Sequence, residues 1–168
     1  LNKLLRYKSI SKYILEKPLA INPNIARDTL SNLINKDIRF TFGYSFLYTT
    51  WFKTLKDILI KSNEETVFLK WNFKAHHIAN NKNSWKAEHE KGGGPLRFYG
   101  IHIIALLSSI GYQDVISSVL ESKSYVSFTK WKATFCGDNL PLCQIDININ
   151  SDLQEFDIYC ETQKKRIK

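Results

Sequence analysis

The sequence has no methionine, four prolines and seven glycines among 168 residues, and its 16 acidic residues are outnumbered by 24 lysines and arginines. So little glycine and proline excludes collagen-like and low-complexity chains. No apolar run is long enough to cross a bilayer and no signal peptide opens the chain, so a cytoplasmic protein without a membrane partner is expected. Three cysteines (Cys136, Cys143, Cys160) are too few and too irregularly spaced for a metal knot, and they read as free thiols in a reducing compartment. No helix-turn-helix, zinc-finger or RNP pattern accompanies the net charge of +8, so nucleic acid is not expected as a partner despite the basic cluster Lys164, Lys165, Arg166 and Lys168. The glycine-rich dinucleotide fingerprint G-x-G-x-x-G is missing. The chain opens on Leu1, and LNKLLRYK reads as the end of a helix, so a fragment of a longer protein is expected.

What is present suits a globular core: 43% hydrophobic and 24% charged residues. Residues 12–15 read as a short strand. Asn22 is a cap and Pro23 a first helical residue, and Ile25, Thr29, Leu33 and Ile34 give that helix its buried side. Ile38, Phe40, Phe42 and Tyr44 alternate with polar or small residues as in a strand. Strand, helix and strand in so short a span form a βαβ unit with parallel strands. A helix over 51–60 and a strand over 67–73 follow, then an irregular polar loop over 75–91. Next comes GGGPLRFYGIHIIALLSSIG, in which Leu96, Tyr99, Ile103, Leu106 and Ile110 recur at helical spacing. A short helix over 114–120 precedes strands over 125–135, 143–149 and 155–160, with turns at Gly137-Asp138-Asn139 and Ser151-Asp152. The fold class is therefore α+β: an α/β remnant, then a mainly antiparallel sheet with helices on one face.

Few residues carry chemistry. Gly92, Gly93 and Gly94 let the backbone approach a ligand or another strand closely. His102 follows them on the helix, well placed for acid/base work, although a buried histidine on an apolar helix is more often structural. Lys17, in Glu16-Lys17-Pro18, ends a parallel strand at its carboxyl end, where open α/β sheets bind ligands. Pro18 has the freedom to be cis. His76, His77 and His89 could invite a metal, but without a carboxylate or cysteine at ligand spacing none is expected. The aromatic and lysine mixture over 128–132 suits base stacking less well than one apolar sheet face.

Glu16-Lys17-Pro18, followed in order by a helix, FTFGYSF, a further helix and strand, Trp85-Lys86 and GGGPLRFYGIH, resembles the glucose–fructose oxidoreductase, inositol dehydrogenase and MocA family (Gfo/Idh/MocA). The likeness runs from about Lys12 to the last strands. It implies the end of a Rossmann domain at residues 1–46 and a substrate and oligomerisation domain at 47–168. It implies NAD(P)-dependent oxidation or reduction of a sugar, cyclitol or sugar nucleotide. Lys17 and His102 would be catalytic, and Glu16, Lys17 and Pro18 would lie at the NAD or NADP. Trp85, Lys86, Arg97, Tyr99 and His102 would line the substrate pocket, and the sheet would pair subunits in a homo-oligomer. Phe98 and Ala105 stand where the family pattern GGG-x-L-x-D-x-G-x-H-x-x-D carries aspartates. Phe98, four residues from His102, would share its helix face and could only stack on the ring or wall off the pocket. Leu47 stands where an arginine is usual, and Lys86 keeps the charge of a common arginine without its fork. An altered, non-catalytic relative that binds carbohydrate or pairs subunits is therefore the second reading.

Overall fold

The computed structural model describes residues 10–61, 65–124 and 127–160. The helix end expected at 2–8, the basic cluster at 164–168 and the strand start expected at Tyr125 lie outside them. The chain is α+β, with a two-stranded parallel sheet and a five-stranded mixed sheet.

Strand β1 (Tyr13–Leu15) pairs in parallel with β2 (Phe40–Phe42), and helix α1 (Pro23–Asn35) connects them. Asn22 Oδ1 accepts from the Ile25 amide at 3.0 Å, and Pro23 follows as the first helical residue. The helix stops where Asp37 takes a positive φ of 52°. Only Leu33 of α1 is fully buried; Thr29 is partly covered, while Ile25 and Ile34 are exposed. Two strands spaced about 4.8 Å apart form a ribbon too narrow to cover the whole apolar stripe. β2 is also shorter than its alternation suggests, because the chain turns into a 3-10 helix at Ser45–Tyr48.

The main core lies between the larger sheet and two helices, α2 (Thr50–Lys61) and α4 (Ile101–Ile110). Leu55 and Leu59 of α2 and Ile103, Leu106 and Leu107 of α4 are buried against Val67 and Leu69 of β3 (Thr66–Lys74). Each such side chain contributes about 1.5–3 kcal/mol when taken fully from water. A six-residue π-helical turn, Pro95–Gly100, leads into α4. Gly100 lies on the ring of Trp131, where a Cβ would collide with the indole.

Two expectations are corrected. Residues 114–120 are not a helix: they begin β4 (Asp114–Ser124), which pairs with β5 (Ser127–Cys136). A register shift between Val115 and Ser117 breaks the two-residue alternation that marks a strand, and it puts apolar residues at a helix-like spacing. Nor do β6 (Leu142–Asn148) and β7 (Asn150–Cys160) form a hairpin. The sheet order is β4-β5-β6-β3-β7, so β3 lies between them, parallel to β6 and antiparallel to β7. The chain swings round the end of β3, where the Ala75 amide donates to the Ile149 carbonyl at 2.8 Å.

The inner face of the sheet carries Trp131, Ala133, Phe135, Cys143, Ile145 and Ile147. The outer face carries Lys132, Thr134, Gln144 and Asp146, together with Phe68 stacked on Tyr159 at 5.2 Å. No disulfide joins Cys136, Cys143 or Cys160 among the described residues, and burial pushes the Cys143 thiol up to about 12. Among the described residues no helix is long and apolar enough to cross a membrane.

Candidate functional site

β1 ends at Leu15 and releases Glu16 and Lys17 from its carboxyl end, and the Lys17–Pro18 bond is cis. The Glu16 carboxylate folds back over Gly43, where a Cβ would stand only 3.0 Å from its Oε1. Lys17 reaches the other way. Its Nζ donates to the Phe98 carbonyl at 2.7 Å and stands 3.9 Å from the centroid of the Phe98 ring. This contact joins residues 81 apart in sequence and ties the small parallel unit to the glycine-led segment. Burial lowers the Lys17 pKa; Glu16 opposes that shift and the Lys86 charge adds to it.

The glycines act on the backbone. Gly92 and Gly94 hold φ of +85° and +81°, which L side chains seldom adopt. Gly93 lies so close to the Trp85 carbonyl and the Lys86 backbone that no Cβ fits. Its close neighbour is thus the Trp85–Ala87 turn rather than a strand. That turn delivers two side chains to Phe98. The Trp85 ring meets the Phe98 edge at 5.4 Å, and Lys86 Nζ lies 5.1 Å from the Phe98 centroid. Trp85 remains 43% exposed.

His102 packs against the FTFGYSF segment. It is 8% exposed, stacked on Phe46 at 4.8 Å and met edge-on by Tyr44 at 6.3 Å. Its Nδ1 is buried without a hydrogen-bond partner among the described residues. Burial, reinforced by the Lys17 charge, lowers its pKa from 6.5 to about 4, so the imidazole is neutral at pH 7. Phe98 lies in the π-helical turn and is bordered by Lys17, Lys86 and Trp85.

The other expected pocket residues divide. Tyr99 packs into the core aromatics, 5.0 Å from Phe73 and 6.2 Å from Trp71, and burial raises its pKa. Arg97 donates to the His89 carbonyl at 2.9 Å and the Ile21 carbonyl at 3.3 Å, clamping two loops. Two cavities flank Pro18. One, of about 490 Å³, is lined by Glu16, Lys17, Pro18, Trp85 and Lys91 among others. The other, of about 520 Å³, is mostly apolar and includes Tyr44, His89, Arg97 and Ile101. Lys17 and Trp85 therefore share a cavity that Arg97 does not line. Phe46 and Tyr44, the ring partners of His102, had no signal beyond their place in FTFGYSF. His77, in a stretch that reads as an exposed loop, is buried on the short helix α3 (His76–Ala79). Among the described residues no three histidine, cysteine or carboxylate side chains gather as a metal site.

No family model and no curated sequence matches the chain. Solved structures do match its fold. The WlbA dehydrogenase of Chromobacterium violaceum, in complex with NADH and UDP-GlcNAcA, aligns with TM-score 0.75 and 10% identity, covering 96% of this chain and 56% of its own. The WlbA dehydrogenase of Bordetella pertussis, with NADH and UDP-GlcNAcA, aligns with TM-score 0.72 and 13% identity over 86% of this chain and 48% of its own. The WlbA (WbpB) dehydrogenase of Thermus thermophilus, with NAD and alpha-ketoglutarate, gives 0.69 and 15% over 94% and 52%. The chain spans about half the length of these enzymes, with which it shares its fold.

Proposed function

We propose that the chain is part of an NAD(P)-dependent oxidoreductase of the Gfo/Idh/MocA type, acting on a hydroxyl or ketone of a sugar, cyclitol or sugar nucleotide. The observation that carries this reading is the Lys17 contact with Phe98, which brings the carboxyl end of a parallel strand onto the glycine-led segment. In this reading residues 1–46 close a Rossmann domain, residues 47–168 form the substrate domain, and the polar outer sheet face pairs subunits. The dehydrogenases of the same fold, crystallised with NAD or NADH, support it.

The residues fit one end of the cofactor. Pro18, Ala20, Ile21 and Trp85 offer apolar walls for a planar ring beside Lys17, whereas the given sequence has no G-x-G-x-x-G loop to cradle a pyrophosphate. When bound, the nicotinamide supplies the hydride acceptor or donor. Lys17 Nζ orients the reacting oxygen and takes or returns its proton, and desolvation makes the neutral amine easier to reach. Neutral His102 borders the reacting group without carrying charge. Glu16 stabilises the ammonium form of Lys17.

A panel of keto-sugars and sugar alcohols assayed with NAD(P)H or NAD(P) on the full-length protein tests the proposal. Lys17→Ala should abolish turnover, and His102→Ala should reduce it. The second reading, a binding or pairing relative, is favoured by the absence of a carboxylate beside His102. It prevails if sugars bind while no nicotinamide-dependent turnover occurs.

A further inference from the structure

Lys17 and Lys86 approach one phenyl ring, at 3.9 and 5.1 Å, although their charges repel. The ring face attracts cations through its quadrupole, but it bears no charge and neutralises neither. Glu16 favours the Lys17 ammonium through space but forms no ion pair with it among the described residues, so the two lysines are only partly balanced. Glu16 turns its carboxylate over Gly43. Lys91, on the same cavity, is matched by Glu88 at 2.7 Å. Arg97 spends its donors on backbone carbonyls. Among the described residues neither Lys17, Lys86 nor Arg97 forms an ion pair with a carboxylate.

We propose that Lys17 and Lys86, gathered over the Phe98 ring, bind an anionic group of the substrate, a carboxylate or a phosphate ester. This rests on the carbohydrate reading and adds a charge to it. The anion lies between the two ammonium heads and supplies the counter-charge that Phe98 cannot. The half-exposed indole of Trp85, at the edge of the same ring, offers a flat apolar wall to the sugar. Phe98 thereby determines specificity: a carboxylate there would neutralise the lysines internally and repel an acidic ligand.

Calorimetric titration of the full chain at low salt, with glucose, glucuronate, glucose 6-phosphate, inorganic phosphate and NADH, tests this. Glucuronate or glucose 6-phosphate should bind at least about tenfold more tightly than glucose, as one charge-assisted hydrogen bond implies. Whichever binds better identifies the source of the anion. Lys86→Gln, at an exposed position, should cost that ligand about tenfold and leave glucose unchanged. Phe98→Asp should erase the preference for acids. Equal binding of glucose and glucuronate, indifferent to Lys86→Gln, overturns the anion site and leaves the carbohydrate reading standing. Phosphate binding that depends on Lys86 without gain from any sugar supports the anion site and removes the carbohydrate reading. Loss of NADH binding alone in Lys86→Gln overturns the proposal, since the lysines then serve the cofactor. Binding of none of these probes overturns both.

Discussion

The two sheets differ in how they are held. Around β1, α1 and β2 the buried apolar residues are Tyr13, Leu15 and Leu33, while Ile14 between the first two is 75% exposed. The five-stranded sheet buries residues from every one of its inner strands and from two helices, centred on Trp131 at 1% exposure. Within the described residues the smaller unit buries little apolar area of its own. It is tied to the larger one by side-chain bonds to the glycine-led segment, Lys17 to Phe98 and Arg97 to Ile21. The lysine central to the proposed chemistry thus comes from the unit with the smaller described core, and its partners come from the unit with the larger one.

This asymmetry can be broken experimentally. Trp131→Ala should remove about 3–5 kcal/mol from global stability, read by chemical denaturation. A loss no larger than that of Leu33→Ala would show that the cores are equal. Acid should come next. The His102 pKa falls from 6.5 to about 4 on folding, so in that window the unfolded chain takes up a proton that the folded chain refuses. Its contribution is fully present above pH 6.5 and is lost as the pH falls towards 4, by about 3 kcal/mol in total. His77 and His89 shift in the same direction for the same leading reason, burial. The difference between wild type and His102→Gln across that pH range isolates the share of His102; parallel curves would refute it. Leu33→Ala should leave the global midpoint within about 1 kcal/mol but sharply raise amide exchange in β1 and α1, because the small unit opens locally. Smallest of all, Asn22→Ala should cost about 1 kcal/mol through the lost cap, confined to exchange in the first turn of α1.

Much of this was legible in the residues, and the misses have definite causes. Asn22-Pro23 announces α1 because a cap and a first-turn proline act locally. The central strands β3, β5 and β6 announce themselves by alternation, since one face is buried and the other is wet. β4 does not: at the sheet edge Val115, Ile116 and Val119 remain exposed, and a register shift disrupts the period. The partnership of Glu16-Lys17-Pro18 with the glycine-led segment was readable from order, but its geometry was not. Nothing local distinguishes a π-helical turn from an α-helical one in PLRFYG, so the change of winding before α4 had no signal. The burial of His77 in a polar stretch is set by tertiary packing alone.

Gly93 has a consequence for how such a site could drift. It works as a spacer of zero thickness: the peptide planes of the Trp85–Ala87 turn rest directly on its backbone. Any side chain at 93 would push that turn outward and lift Trp85 and Lys86 together from the Phe98 ring. A glycine with no side chain thus sets how closely Trp85 and Lys86 approach the Phe98 ring. Changing that approach requires moving a loop as a whole, whereas the side chains of Phe98 and Lys86 can change while the turn stays in place.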